Sequence, residues 1–185
     1  SCYLVGLLNA LHTLRRDFIS LHDLADEACN IEIGVLKKPI GKQDQYLAAF
    51  GGLTTLEISK TGKVAVGSAK VSRSTIDDLE KNMLIFFTGT MRNALDILSE
   101  QNRATAKKDK TVIRSLHRIK EIGYRVKEAI ETGDLTRFGI LMDEHWQHKK
   151  KLSTRVSDRR FDGLYDLAKK SGALGGKISG AGGGG

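Results

Sequence analysis

Apolar positions at the start of the chain recur at three- and four-residue intervals, with Leu4, Leu7, Leu8, Leu11 and Leu14 on one stripe, and predict a helix from Ser1 to Leu14. Ser20 followed by Asp23 has the spacing of a capping box, and Leu21, Leu24, Ala25 and Ala28 then carry a second helix. From Glu32 to Gly41 the periodicity stops, and Pro39 and Gly41 mark a loop. A short helix from Gln43 to Phe50 follows, ended by Gly51 and Gly52. Leu53 to Ile58 and Lys63 to Val66 favour strands around a hairpin turn at Lys60-Thr-Gly-Lys63.

Further along, Thr75 and Asp78 repeat the capping spacing, and the compact apolar run Met83 to Thr88 predicts a buried strand. Val112, Leu116, Ile119, Ile122, Val126 and Ile130 fall at helical intervals within Thr111 to Glu131, with Gly133 as the stop. Asp134 caps a helix whose Leu135, Phe138, Leu141, Met142 and His145 face inward. Ser157 or Asp158 starts another through Phe161, Leu164 and Leu167, ended by Gly172. The pattern is α+β with helices dominant after the apolar run, and the polar stretch from Val71 to Thr75 suggests a boundary between domains 1–74 and 75–185.

The 185 residues are enough to bury a core without disulfides or metals. Cys2 and Cys29, both on apolar helical positions, read as buried inert thiols of a reducing compartment. No apolar run approaches a membrane span, so a cytoplasmic protein is the expectation. The net charge of +8 invites nucleic acid as a partner, but the bases are interleaved with acids and aromatics make up only 6%, which argues against it. The same surplus suits a phosphorylated small substrate. A chain that begins with Ser in a helical pattern and ends in a glycine turn reads as a piece of a longer protein.

Five places carry candidate chemistry. The run from Gly172 to Gly185 puts glycines after a short apolar segment, where backbone N–H groups can close on phosphates; a flexible linker is the plain alternative. Asp44 in the first turn of the short helix is favoured as an ionised carboxylate and, beside Lys42, can orient or deprotonate a hydroxyl, or else only stabilise the helix. Glu32, twelve positions earlier, is either a surface acid or a second carboxylate for Mg²⁺. Thr88-Gly-Thr-Met-Arg92 opens a helix where anions can be held, and Arg92 either forks onto a phosphate or sugar or is a solvated helix arginine. Trp146 with Lys149 and Lys150 reads as one wall of a polar pocket, whereas His145 and His148 lack a third metal ligand nearby.

In their order these segments resemble the GHMP small-molecule kinases, the superfamily of galactokinase, homoserine kinase, mevalonate kinase and phosphomevalonate kinase. Gly41-Lys-Gln-Asp-Gln45 is similar to the galactokinase-type Gly-x-x-Asp-Gln segment, Glu32 falls where that family places its magnesium-binding glutamate, and Gly175 to Gly185 resembles the third family motif. A finer resemblance, carried by Gly41 to Tyr46, Phe87-Thr-Gly-x-x-Arg92, His145-Trp-x-x-Lys-Lys150 and Gly172 to Lys177, is to bacterial kinases of D-glycero-D-manno-heptose 7-phosphate.

The resemblance implies a partial ribosomal-S5-like N-terminal domain and a partial ferredoxin-like C-terminal domain. It implies ATP and Mg²⁺ as cofactors, Asp44 as catalytic residue, Glu32 as metal ligand, and Ser179, Gly180, Ala181, Gly182, Gly183 and Gly184 at the nucleotide phosphates. Gly41, Lys42, Gln45, Arg92, Lys149 and Lys150 are the expected substrate contacts, the last three neutralising the sugar's own phosphate. The reaction implied is γ-phosphoryl transfer to the anomeric hydroxyl, giving a 1,7-bisphosphate for nucleotide-activated heptose. Fucose, glucuronate or galactose are alternative acceptors, a non-catalytic basic binding module is the rival of another class, and a homodimer is compatible with the family. The family's first sugar-binding segment, main phosphate loop and magnesium-binding serine would precede Ser1, so this piece alone is expected to be inactive.

Overall fold

The computed structural model describes residues 1–90 and 94–184, which form two compact units, Ser1–Ala69 and Lys70–Gly185. The separation at Ala69 precedes Ser72, whose hydroxyl accepts from the Thr75 amide and caps the first helix of the second unit. Ser72, and not Thr75 as the spacing suggested, is therefore the cap.

In the first unit, α1 (Cys2–Arg15), α2 (Leu21–Cys29) and α3 (Gln43–Phe50) pack beside a hairpin of β1 (Thr54–Ile58) and β2 (Val64–Ser68). Ser20 caps α2 as expected: its hydroxyl accepts from the Asp23 amide at 3.1 Å and donates to the Asp23 carboxylate at 2.6 Å. The inward face of α1 is Leu4, Val5 and Leu8, packed with Leu24 and Ala28. Leu7, Leu11 and Leu14 of the predicted stripe are exposed, and so is Cys2. Cys29 is buried, and burial, the larger cause, pushes its thiol up to about 11. It joins Ala25, Tyr46 and Val64 in a second cluster that ties α2, α3 and the hairpin together.

After α2 the helix does not stop at Glu32. It widens into a π-helical turn, Asn30–Val35, and only then enters the loop. The periodicity fails there because the hydrogen bonds skip an extra residue, which rotates the side chains off a 3.6-residue repeat. The antiparallel hairpin pairs Leu56 with Val66 and Ile58 with Val64, in the strands the sequence predicts. Gly51, with φ of 67°, ends α3 in a conformation that favours glycine.

The second unit holds α4 (Arg73–Asn82), α5 (Ala94–Ala106), α6 (Lys110–Glu131), α7 (Leu135–Lys149) and α8 (Arg159–Lys170). Asp109, Asp134 and Asp158 cap α6, α7 and α8 through their carboxylates. Helices α6 and α7 bury Ile122, Ala129 and Leu141, with Val126 and Phe138 against them. The expected strand at Met83 to Thr88 is irregular and unpaired, and Leu84, Ile85, Phe86 and Phe87 are each more than two-thirds exposed. A strand becomes regular and buried only beside a partner, and among the described residues the sheet is the hairpin alone.

Ile122 is fully buried between α6 and α7. Ile122→Ala should lower the unfolding free energy by about 2–5 kcal/mol, read from urea unfolding followed by circular dichroism.

Candidate functional site

Burial makes an ionised carboxylate costly unless donors surround it, and Glu32, 4% exposed on the π-helical turn, has three. Gln45 Nε2 and the Ser1 hydroxyl each donate to Oε2 at 2.7 Å, and Lys38 Nζ donates to Oε1 at 2.9 Å. Burial opposes ionisation, but the hydrogen bonds from Lys38, Ser1 and Gln45 outweigh it and hold this carboxyl at about 2. Gln45 is fully buried, so it acts on Glu32 from beneath α3. Ser1 and Lys38 were not singled out from the sequence, since neither lies in a motif.

Asp44, one residue before Gln45, points the other way. It is exposed in the first turn of α3, and among the described residues its carboxylate makes no hydrogen bond or ion pair. The helix itself is fixed from inside: Tyr46, fully buried, donates to the Asp26 carboxylate at 2.7 Å and stacks on Phe50 with centroids 6.3 Å apart. Lys42, at the N-cap, donates to the Gly62 carbonyl at 2.8 Å and so is tied to the hairpin turn. Gly41 is exposed beside it.

A divalent hard cation suits the Glu32 surroundings on one independent observation. Gln45 Oε1 is buried without a hydrogen-bond partner, so a hard oxygen is left unsatisfied on the residue that also holds the carboxylate. With the Ser1 hydroxyl, that makes an oxygen donor set of the kind Mg²⁺ accepts. Among the described residues there is no group of three or more His, Cys, Asp or Glu side chains that would form a metal cage, at His145 and His148 or elsewhere.

The glycine turn belongs to the second unit. Gly175 lies so close to α7 that an added Cβ would fall 2.6 Å from the Asp143 amide and still closer to the Gly139 carbonyl. Tyr165 of α8 donates to the Asp143 carboxylate on the same helix face. Beyond Lys177 the chain turns through Gly180, Gly182 and Gly183 at φ values of 66°, 107° and 72°, which a side-chain-bearing residue rarely adopts. The Gly183 amide donates to the Val156 carbonyl at 2.8 Å, and a Cβ on Gly182 would come within 2.9 Å of that carbonyl.

Lys149 enters this turn from the end of α7. It is 9% exposed and donates to the carbonyls of Ile178, at 3.2 Å, and of Gly180. Burial, with Lys177 adding repulsion, lowers it to about 8. Among the described residues the amides of Ser179, Gly180 and Ala181 make no backbone hydrogen bond, while Gly182 is buried and closes the turn, so the three outer donors are the ones open to an anion. Ser179 and Gly180 are exposed, Ala181 is partly so, and Gly182 and Gly183 are buried against Val156.

Trp146 does not line a polar pocket. It is 1% exposed and packs with Ile97 and Val156 under the turn, because a large apolar ring one helical turn before Lys149 faces the same way. Lys150 lies 5.9 Å over its ring and 3.4 Å from the Asp162 carboxylate. Arg92 falls outside the described residues. On the segment before it, Arg160 donates to the Thr90 hydroxyl at 2.7 Å and to the Thr88 carbonyl, a role that sequence reading gave to no residue.

Residues 126–185, which contain α7, α8 and the turn, match the family model described as GHMP kinases C terminal. This chain carries a GHMP kinase C-terminal domain. Over 185 residues the chain is 31% identical to the D-glycero-alpha-D-manno-heptose 7-phosphate kinase of Campylobacter jejuni, covering all of this chain and 54% of that protein. It superposes with a TM-score of 0.72, at 30% identity, on a D-glycero-D-manno-heptose 1-phosphate kinase from Bacteroides thetaiotaomicron, over 96% of this chain and 48% of that one. The L. major mevalonate kinase solved with R-mevalonate gives a TM-score of 0.71 at 20% identity, over 98% of this chain and 53% of that one, a likeness of fold. The GHMP kinase fold and its α+β class thus hold for this chain, which spans about half the length of these relatives. No described helix is long and apolar enough to cross a membrane.

Burial, then the charges of Lys177 and Lys149, push the His145 imidazole of this GHMP kinase domain down to about 4 from 6.5. Between those values the unfolded chain binds a proton that the folded chain refuses, so this residue's contribution to stability is intact above pH 6.5 and lost as pH falls towards 4. An NMR titration should place the His145 ring midpoint about 2 units below that of an exposed histidine, and His145→Gln should flatten the acid limb of the stability curve.

Proposed function

We propose that the full-length protein is an ATP-dependent sugar kinase of the GHMP family, transferring the γ-phosphoryl group to the anomeric hydroxyl of a heptose 7-phosphate. The single observation that carries the reading is the glycine turn at 179–184: three amides, those of 179–181, outside any backbone hydrogen bond among the described residues, on a loop anchored by Lys149 and Val156, inside the segment that matches the GHMP kinase family model. Such a turn suits a polyphosphate. The names of the Campylobacter and Bacteroides relatives favour a heptose phosphate as acceptor.

In this reading Asp44 is the group that meets the acceptor. Its carboxylate is exposed and uncommitted at a helix N-terminus and can take the hydroxyl proton. The sugar oxygen bonds to the γ-phosphorus, the bond to the ADP oxygen breaks, and the proton goes to Asp44. Lys42, held on the hairpin turn, and Gly41 fix the start of α3, while buried Gln45 keeps Asp44 facing outward. Glu32, with the Ser1 hydroxyl, would hold Mg²⁺. Bound there, Mg²⁺ supplies neutralising charge to the phosphates.

The acceptor's own phosphate needs cationic contacts. Arg92 and Lys150 keep that role in this proposal, Lys150 being partly buried beside Asp162.

A coupled assay of the full-length protein with Mg-ATP, run across phosphorylated and free heptose, fucose and galactose, tests the reading. The phosphorylated heptose should give the highest kcat/KM. Asp44→Asn should cut kcat by about 10²–10⁴ with little change in either KM. Turnover in that variant close to the parent's would remove Asp44 from the chemistry, and a preference for unphosphorylated sugar would overturn the acceptor. In the same assay Lys150→Ala should raise the KM for the phosphorylated sugar by about tenfold and leave the KM for ATP unchanged.

A further inference from the structure

A buried ammonium with no carboxylate partner is an unusual place to put a charge, and Lys149 is one. It is 9% exposed, and among the described residues it forms no ion pair. Its position is set by α7, whose Trp146 lies one turn earlier in the core with Val156. What surrounds the ammonium is backbone: the carbonyls of Ile178 and Gly180, on either side of Ser179. A charged group in such a place persists only where strong acceptors replace its water.

Two further facts bear on what this arrangement does. First, the same frame holds the other end of the turn, since Val156 packs on Trp146 and accepts from the Gly183 amide at 2.8 Å. Second, a glycine turn has little intrinsic preference for one shape, because each glycine loses more backbone freedom on ordering than any other residue. Carbonyls left loose in it would also repel an approaching polyanion.

From this geometry we infer that Lys149 is a positioning residue for the nucleotide, drawing the Ile178 and Gly180 carbonyls inward so that the intervening amides are presented to a phosphate chain. The role rests on the kinase reading above and differs from the substrate-phosphate contact that the sequence suggested for this lysine. Its charge acts on the nucleotide through the turn, and the acceptor sugar is not part of its role.

The test uses the full-length protein with Lys149→Met, which keeps side-chain length and removes charge and donors, and Lys149→Arg, which keeps both. Mg-ATP binding is measured by calorimetry without sugar, and both KM values are measured with the acceptor the parent uses. The expected result is a Kd for Mg-ATP and a KM for ATP raised by about tenfold or more in Lys149→Met, a KM for the acceptor within about twofold of the parent, and recovery of most of the affinity in Lys149→Arg. Affinity for Mg-ATP unchanged in Lys149→Met, or equal rises in both KM values, would overturn the inference. A parent that binds no Mg-ATP would overturn the nucleotide reading and this role with it, so the two failures are distinguishable. Should the methionine variant not fold, Lys149→Gln carries the same expectations and the same grounds for rejection.

Discussion

The near-contact between the glycine-rich segment and helix α7 is the constraint on which the second unit depends. At Gly175 a single methyl group would overlap the Gly139 carbonyl, so the segment can lie there only without a side chain. That approach brings Ile178 and Ala181 onto the Trp146 cluster and sets the chain on course to meet Lys149. Packing therefore precedes electrostatics: the backbone is brought to the helix by the absence of a Cβ, and the ammonium then finds two carbonyls within reach.

The first unit solves a different problem, that of keeping one carboxylate buried and another exposed on neighbouring pieces of chain. Helix α3 turns Gln45 and Tyr46 inward to Glu32 and Asp26, and this fixes the rotation that leaves Asp44 outside. The π-helical turn contributes by adding a residue to the helix around Glu32, which swings its carboxylate towards Gln45. The cost of burying that charge is offset by three donors drawn from three different parts of the unit.

Much of this was legible in the order of residues, and the reasons for the rest are specific. Capping residues such as Ser20, Asp134 and Asp158, and the hairpin around Lys60 to Lys63, were readable because their hydrogen bonds are local. The burial of Trp146 was not, because an indole beside three lysines looks polar in sequence and its environment comes from Ile97 and Val156, both off its own helix. Asp44 and the glycine turn were marked out by residue type, whereas Lys149's grip on the turn joins positions about thirty residues apart and leaves no spacing signal. The face assigned to α1 was right only in part, at Leu4 and Leu8, for a simple reason. Its leucines lie on one arc, and contact with Leu24 and Ala28 covers only the edge of that arc with Leu4 and Leu8, together with Val5 beside it, which leaves Leu7, Leu11 and Leu14 exposed.

The exposed run from Met83 to Phe87 has a colloidal consequence. Five consecutive apolar side chains without a charge, on backbone that no other described strand pairs with, form a ready template for intermolecular β-pairing. Asp77, Asp78, Glu80 and Lys81 sit just ahead of it and act as gatekeepers by charge repulsion and hydration. Their influence weakens with added salt, so this stretch makes the chain's self-association sensitive to ionic strength even though its net charge is +8.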